Sequence, residues 1–397
     1  MLLSFAIIIL VGFALQGLFH KAGLPGLLGM LLAGIIIGPY AFNLISPEIL
    51  NVSADLRKIA LIVIMVRAGL SLDISDLRRV GRPAVLLGFI PALLEILGAT
   101  LLGTLLLGLS VIEAALLGAV LAAVSPAIVL PGMLHLMEKS SGQQKRVPQM
   151  IMAGATVDNI FVIVAFTAIL GGAEGGTIQP QLLLSVPISI ISGLIVGCLA
   201  GFGLTRLFKL IHIRDTVKTM LILGLSFLIV GAENMVSQYV PFAGILAVVA
   251  LSATVSQQNE NLAHRLAGKF AKVWVAAELV LFILVGALVD VRQLLPGGMI
   301  AVIVVLGAVI CRSAGTWIAT VRSGLNTGER TFTMIANWPK ASLQAVLGAL
   351  PLAAGLKSGP LILSLAILSI ILTAPIGAIG IAKTSDRLLI RPANVDL

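Results

Sequence analysis

Thirteen apolar runs divide this chain of 397 residues, and most are long enough to cross a bilayer as a helix. About 20 residues of helix span the hydrocarbon core. The runs are Leu2–Phe19, Pro25–Phe42, Leu56–Leu72, Ala84–Leu107, Val111–Met137, Met150–Leu170, Leu182–Phe208, Met220–Val236, Val240–Val255, Val273–Val289, Met299–Val321, Thr331–Leu356 and Leu361–Ile381. The ninth is the shortest. Hydrophobic residues make up 59% of the chain and charged residues 11%. That is too little polar surface for a water-soluble domain of this size. Inside hydrocarbon a backbone must satisfy its own hydrogen bonds, which leaves helices for runs of this length. The expected fold is an all-α polytopic membrane protein with 13 transmembrane helices. The first run follows Met1 directly and lacks a basic flank, so it reads as a retained span and not a cleaved leader. Cys198 and Cys311 lie inside apolar runs and read as small core residues, not as a disulfide.

Loop charge tests the count. Nineteen of the 26 basic residues lie in loops after odd-numbered runs or in the tail, among them Arg78, Arg79, Arg82, Arg206, Lys209, Arg265, Lys269 and Arg387. The opposite side holds Arg57, Lys58, Arg292 and Lys357. Basic loops stay in the cytoplasm, which predicts an outside N-terminus and an inside C-terminus. The formal net charge of +9 is therefore spread over short loops. It makes no basic domain, and nucleic acid is excluded as a partner; membrane lipids are the expected surroundings. The histidines His20, His135, His212 and His264 all fall near cytoplasmic loops and read as surface residues. The Gly171-Gly172 and Gly175-Gly176 pairs lack the lysine of a phosphate loop. No cofactor motif is present.

Seven charges remain inside the runs: Glu95, Asp158, Glu233, Glu278, Arg67, Arg312 and Lys340. An ionisable group at bilayer depth costs several kcal/mol unless paired or hydrated, and such groups mark ion or substrate paths. The bland alternative is structural ion pairs that fix helix packing. Both signs occurring in one bundle favours transport. Asp158 is the sharpest case, near the middle of the sixth run. A buried carboxylate can hold a proton or a cation but not comfortably both, which is the simplest chemistry for coupled exchange. Glu233 and Glu278 read either as funnel residues or as solvated interfacial ones, the latter preferred for Glu278. Arg67 is expected to bind backbone carbonyls or a loop acid such as Asp73.

Helix breakers supply a second signal. Ser125, Pro126, Pro131 and Gly132 interrupt the fifth run. Asn337, Pro339, Lys340, Ser342 and Gln344 interrupt the twelfth. Proline removes a backbone donor and frees a carbonyl. At membrane depth, freed backbone survives only where it is buried in protein or lines a cavity. If runs one to six repeat as eight to thirteen, the fifth pairs with the twelfth. The fourth run, holding Glu95, then corresponds to the eleventh, holding Arg312. The odd offset inverts the second copy. Inverted repeats with two crossing discontinuous helices are an architecture of secondary transporters.

Four motifs carry a family resemblance: Met65–Asp73 (MVRAGLSLD), Val124–Pro131 (VSPAIVLP), Ile151–Asn159 (IMAGATVDN) and Trp338–Ala345 (WPKASLQA). In this order they resemble the NHA-type sodium/proton antiporters of the cation/proton antiporter superfamily. The resemblance covers nearly the whole chain. It implies a homodimer in the cell membrane that exchanges Na⁺ or Li⁺ for H⁺ without a cofactor. It also implies a core domain, about 84–170 and 299–381, moving in an elevator-like way past a dimerisation scaffold, about 1–72 and 182–289. The family's paired aspartates fall on Asp158 and Asn159, and its hydroxyl near the first break on Ser125. Its basic residues fall on Arg312 and Lys340. Glu95 is the implied partner of Arg312, and Lys340 the implied partner of Asp158 when no cation is bound.

Asn159 departs from the pattern, because the family's ion-binding carboxylate stands there. An amide oxygen can coordinate a cation, but it neither titrates nor carries charge. One explanation is an engineered or inactivated form in which Asn imitates a protonated Asp, and the single isosteric change favours it. The other is a natural form in which Asp158 alone carries exchange. K⁺/H⁺ exchange, a sodium-coupled organic-anion symporter of similar fold and a non-transporting sensor are the alternative functions.

Overall fold

The computed structural model describes residues 1–71, 81–138, 145–174, 180–211, 213–236, 239–289 and 298–389. Among them the secondary structure is entirely helical. The helices are α1 (Leu2–Lys21), α2 (Gly26–Ile37), α3 (Pro47–Asn51), α4 (Ser53–Leu70), α5 (Arg82–Leu107), α6 (Val111–Leu121), α7 (Pro126–Glu138), α8 (Val147–Glu174) and α9 (Pro180–Leu210). There follow α10 (Asp215–Gly231), α11 (Glu233–Val236), α12 (Gly244–Gln258), α13 (Glu260–Ala287), α14 (Gly298–Ala319), α15 (Thr327–Ala336), α16 (Ser342–Leu347), α17 (Leu350–Ala353) and α18 (Gly359–Leu388). Each of the thirteen apolar runs falls on one of these helices or on a group of them. Seven, namely α1, α5, α8, α9, α13, α14 and α18, have the length and hydropathy of a membrane span on their own. The chain is a multi-pass membrane protein.

Two of the runs are interrupted. The fifth is split into α6 and α7, with residues 122–125 outside helix. The twelfth is split into α15 and α16, with residues 337–341 outside helix. The half-helices α6 and α15 are each opened by a capping box, Ser110 with Glu113 and Asn326 with Glu329. Such a box satisfies two orphan donors of a first turn. Each half-helix therefore starts firmly and ends in the middle of the protein.

The chain forms two compact units. The first comprises Met1–Asn51, Ser75–Leu170 and Phe282–Leu397; the second comprises Val52–Ile74 and Gly171–Leu281. The expected core segments lie in the first unit. So do residues 1–51 and the end of α13, which the domain expectation assigned to the scaffold. In the first unit α14 packs along α5, α5 along α6, and α15 along α18. Small residues bring these backbones together: a Cβ at Gly118 would stand 2.7 Å from Ile96 O, and one at Gly315 2.6 Å from Pro91 Cα. Without a hydrophobic drive between helices in lipid, close backbone packing of this kind supplies the attraction.

In the second unit α12 packs between α9 and α4. Glu233 accepts a hydrogen bond from Gly244 N at 3.1 Å, and so caps the start of α12. That hydrogen bond gives Glu233 a structural contact at the start of α12. Glu278 is half-buried, hydrogen-bonded to Trp274 and faced by the charge of Arg67. Arg67 thus has a carboxylate on α13 as its neighbour. Asp73, its expected partner, lies outside the described residues, as do His212 and the Gly175-Gly176 pair. His20, His135 and His264 are exposed.

Candidate functional site

The two breaks meet. Ser125 N donates to Pro339 O at 2.9 Å, joining the first break to the second. Gly377 on α18 leaves room for the second break, since a Cβ there would stand 2.3 Å from Pro339 Cγ. Lys340 N donates to Thr373 Oγ1 of the same helix at 3.0 Å. Backbone freed by the prolines is thereby bonded within the protein, as membrane depth requires.

Four charges gather at this crossing. Helix α5 brings Glu95, α8 brings Asp158, α14 brings Arg312, and the second break brings Lys340. Glu95, Asp158 and Arg312 are 0% exposed and Lys340 is 1% exposed. Arg312 Nη1 donates to Glu95 Oε2 at 2.9 Å, and Arg312 Nη2 donates to Asp158 Oδ1 at 2.8 Å. Lys340 Nζ donates to the same Glu95 Oε2 at 2.7 Å. Two carboxylates and two cations make a neutral cluster. A buried charge is tolerable only when paired and hydrogen-bonded in this way.

Arg312 is the hub. Its Nε donates to Asn337 O at 2.7 Å and its Nη1 also donates to Ala122 O. One guanidinium therefore bonds a backbone carbonyl in each break and both carboxylates. Only the five-donor fork of arginine can make that set. The remaining oxygen of Asp158, Oδ2, accepts from Val124 N at 3.1 Å. Both of its oxygens are thus engaged.

Lys340 departs from the expected pairing with Asp158. Its ammonium goes to Glu95 Oε2, the oxygen that also accepts from Arg312 Nη1. Glu95–Arg312 is present as expected, but as one edge of a larger network.

Ser125 and Asn159 flank the cluster by one residue each. Ser125 is 0% exposed and Asn159 is 7% exposed. Ser125 Oγ and Asn159 Oδ1 are both buried without a hydrogen-bond partner, and Glu95 Oε1 and Ser342 Oγ share that condition. A buried polar atom left unpaired costs about 1–3 kcal/mol, so native proteins rarely retain one without a use. Oxygens awaiting a ligand at the edge of a carboxylate cluster suit a small hard cation.

Gln344 and Thr373 are the site residues that the sequence reading left without a role. Gln344 is 0% exposed. Its Nε2 donates to Leu121 O at 3.4 Å and to Ala123 O, and its Oε1 accepts from Ala341 N at 2.9 Å. The signal for it was local: an amide, donor and acceptor together, just past a helix break inside an apolar run. Nothing local marked Thr373, whose hydroxyl also bonds its own helix at Ser369 O.

The sequence and the fold each have known counterparts. The family described as sodium/hydrogen exchanger, transmembrane, matches residues 5–385. Human sodium/hydrogen exchanger 9B2 is 34% identical over 381 residues, covering 92% of this chain and 70% of that protein. Human sodium/hydrogen exchanger 9B1 is 30% identical over 391 residues, covering 94% and 75%. The solved structure of the sodium proton antiporter MjNhaP1 from Methanocaldococcus jannaschii at pH 8 has a TM-score of 0.82 at 19% identity, covering 97% of each chain. That last likeness concerns the fold. With a family match running nearly end to end, and two human relatives at or above 30% identity over more than nine-tenths of its length, the chain belongs to the sodium/hydrogen exchanger family.

Proposed function

We propose that this protein exchanges Na⁺ or Li⁺ for H⁺ at the crossing of its two broken helices. The observation that carries the reading is the neutral, fully buried cluster of Glu95, Asp158, Arg312 and Lys340, edged by the unpaired oxygens of Ser125 and Asn159. Family membership and the names of the relatives support the same activity. In this reading Asp158, Asn159 and Ser125 are the ion-site residues, while Arg312, Lys340 and Glu95 compensate charge.

Charge balance supplies the coupling. A cation entering a neutral buried cluster leaves one uncompensated positive charge, which is costly at membrane depth. Release of one proton restores neutrality. Arg312 keeps its proton at any accessible pH. Lysine yields one when desolvated. Lys340, whose side-chain hydrogen-bond partner among the described residues is Glu95 Oε2, is the group assigned to give up its proton as the cation arrives. The Asn159 form then exchanges one cation for one proton.

The site lies wholly in the first compact unit, and an elevator-type displacement of the core is part of this reading. The core at about 84–170 and 299–381, the dimerising scaffold at about 1–72 and 182–289, the homodimer, the thirteen spans, the outside N-terminus and the cell-membrane location belong to this proposal.

The test is Na⁺- or Li⁺-induced proton flux in proteoliposomes, with the chain as written beside its Asn159→Asp form. A carboxylate at 159 adds the charge that the family places there, so the variant should show the higher flux. Equal flux in the two forms sinks the inactivation idea and leaves Asp158 as the sole exchanging carboxylate. Flux driven by K⁺ and not by Na⁺ points to K⁺/H⁺ exchange. No cation-driven flux in either form overturns the proposal.

A further inference from the structure

We infer that Gln344 sets the cation selectivity of the site by withholding backbone carbonyls from the ion. The inference rests on the reading of the helix crossing as a cation site. The end of a helix leaves carbonyls without intrahelical partners. These lie at the negative end of the helix dipole. In broken helices such unwound carbonyls coordinate cations directly.

At the first break α6 ends at Leu121, and the carbonyls of Leu121, Ala122 and Ala123 lie at and just past that end. Every one of them already accepts a hydrogen bond from a side chain. Gln344 Nε2 donates to Leu121 O and Ala123 O, and Arg312 Nη1 donates to Ala122 O. The orientation of the Gln344 amide is fixed by chemistry. Its oxygen accepts from Ala341 N at 2.9 Å, and turning the group over would set that oxygen against two carbonyl oxygens. Gln344 therefore seals the first break from a position in the second.

Among the side-chain oxygens open to a cation, Ser125 Oγ, Asn159 Oδ1, Glu95 Oε1 and Ser342 Oγ are buried without a hydrogen-bond partner. A site with few fixed oxygens suits a small ion. Selectivity for K⁺ is built instead from carbonyl oxygens supplied in number to replace its hydration shell. Removing the Gln344 amide returns two carbonyls to the site and shifts it toward the larger ion.

The experiment is thermal stabilisation of the purified full chain by LiCl, NaCl, KCl and RbCl, against choline chloride at equal ionic strength. A ligand at concentration L that binds the folded state stabilises it by RT ln(1 + L/Kd), so the rise of Tm with salt concentration gives an affinity without any transport. The unmodified chain and Gln344→Met are compared, each also in the Asn159→Asp background. Methionine keeps the length of the side chain and removes both donors. The K⁺-to-Na⁺ affinity ratio is expected to rise about tenfold, the equivalent of one net polar contact. An unchanged ratio in the Met variant overturns the inference while leaving the cation site standing. Absence of stabilisation by any alkali cation in all four proteins overturns the cation-site reading, and the inference with it. A structure of the unmodified chain with Tl⁺ bound decides the matter even where the variant fails to fold. Contact between the ion and Leu121 O or Ala123 O overturns the inference; contact with side-chain oxygens alone supports it.

Discussion

At the scale of single residues the cluster is held by shape as well as charge. Arg312 spends its donors on two carboxylates and two carbonyls, and a lysine ammonium on a flexible stem cannot reproduce that fork. Arg312→Lys should leave Asp158 or Glu95 short of a partner and cost roughly 3–5 kcal/mol, the usual penalty for breaking a buried pair. Lys340→Met should cost less, because Glu95 keeps its 2.9 Å bond to Arg312. Thermal unfolding of both variants in detergent checks this order. Equal destabilisation would contradict the hub role. The identities of the cluster residues were legible in the sequence as charges stranded in apolar runs. Their pairing was legible only for Glu95 and Arg312, through the family resemblance. Lys340 was expected on Asp158 and lies on Glu95 Oε2, which it shares with Arg312.

At the scale of elements, packing in the second unit runs through one stripe of α9. Gly193, Gly197 and Gly201 recur every four residues and face carbonyls of Ala243, Ala247 and Leu251 on or beside α12. A Cβ at Gly197 would stand 2.2 Å from Ala247 O, whereas one at Gly203 meets nothing within 4 Å. Gly197→Ala should therefore destabilise the protein by about 1–3 kcal/mol through overpacking. Gly203→Ala should be neutral or gain up to ~1 kcal/mol from helix propensity. Melting temperatures of the two variants distinguish a packing stripe from a chance spacing.

Helix ends supply a second test at this scale. Asp215, at the start of α10, accepts from Arg265 Nε on α13 at 2.8 Å and pairs with Lys218 at 3.5 Å. The Arg265 hydrogen bond holds the Asp215 carboxyl below its ordinary value of 3.8. A carboxylate with a depressed folded pKa stabilises the fold above its unfolded pKa and loses that contribution as pH falls through the folded value. The stability difference between Asp215 and Asp215→Asn forms should stay level from neutral pH down to about pH 5. Below the unfolded pKa it should shrink. A difference that instead shrinks between pH 5 and 8 would assign the effect to another group.

At the scale of the whole molecule, the apolar runs set the number of crossings and loop charge sets their direction. An outside N-terminus places Lys357 outside and Lys269 in the cytoplasm. Both are exposed. In a background carrying Cys198→Ala and Cys311→Ala, Lys357→Cys should react with an impermeant maleimide in intact cells. Lys269→Cys should react only after the membrane is opened. The reverse pattern would invert the topology and the basic-inside argument with it. The division into two compact units was only partly legible. The segments around the breaks were assigned together, but residues 1–51 cluster with the unit that holds the site. That grouping follows from which helix faces carry small residues. In α2, for example, a Cβ at Gly34 would stand 2.1 Å from Ile283 O.

The sequence alone determined the solvent, the class of fold, the two helix breaks and the list of residues stranded among apolar neighbours. Each of these depends on a residue and its surroundings within one run, since hydropathy and proline chemistry act over a turn or a span. The tertiary structure decided the partners. Arg312 meets Glu95 across 217 positions and Asp158 across 154, and Lys340 meets Glu95 across 245. Pairing at such separations is set by which helices cross and at what depth. It also decided the partners of Gln344, whose neighbours in sequence show a polar residue past a break but not the Leu121 and Ala123 carbonyls that it meets.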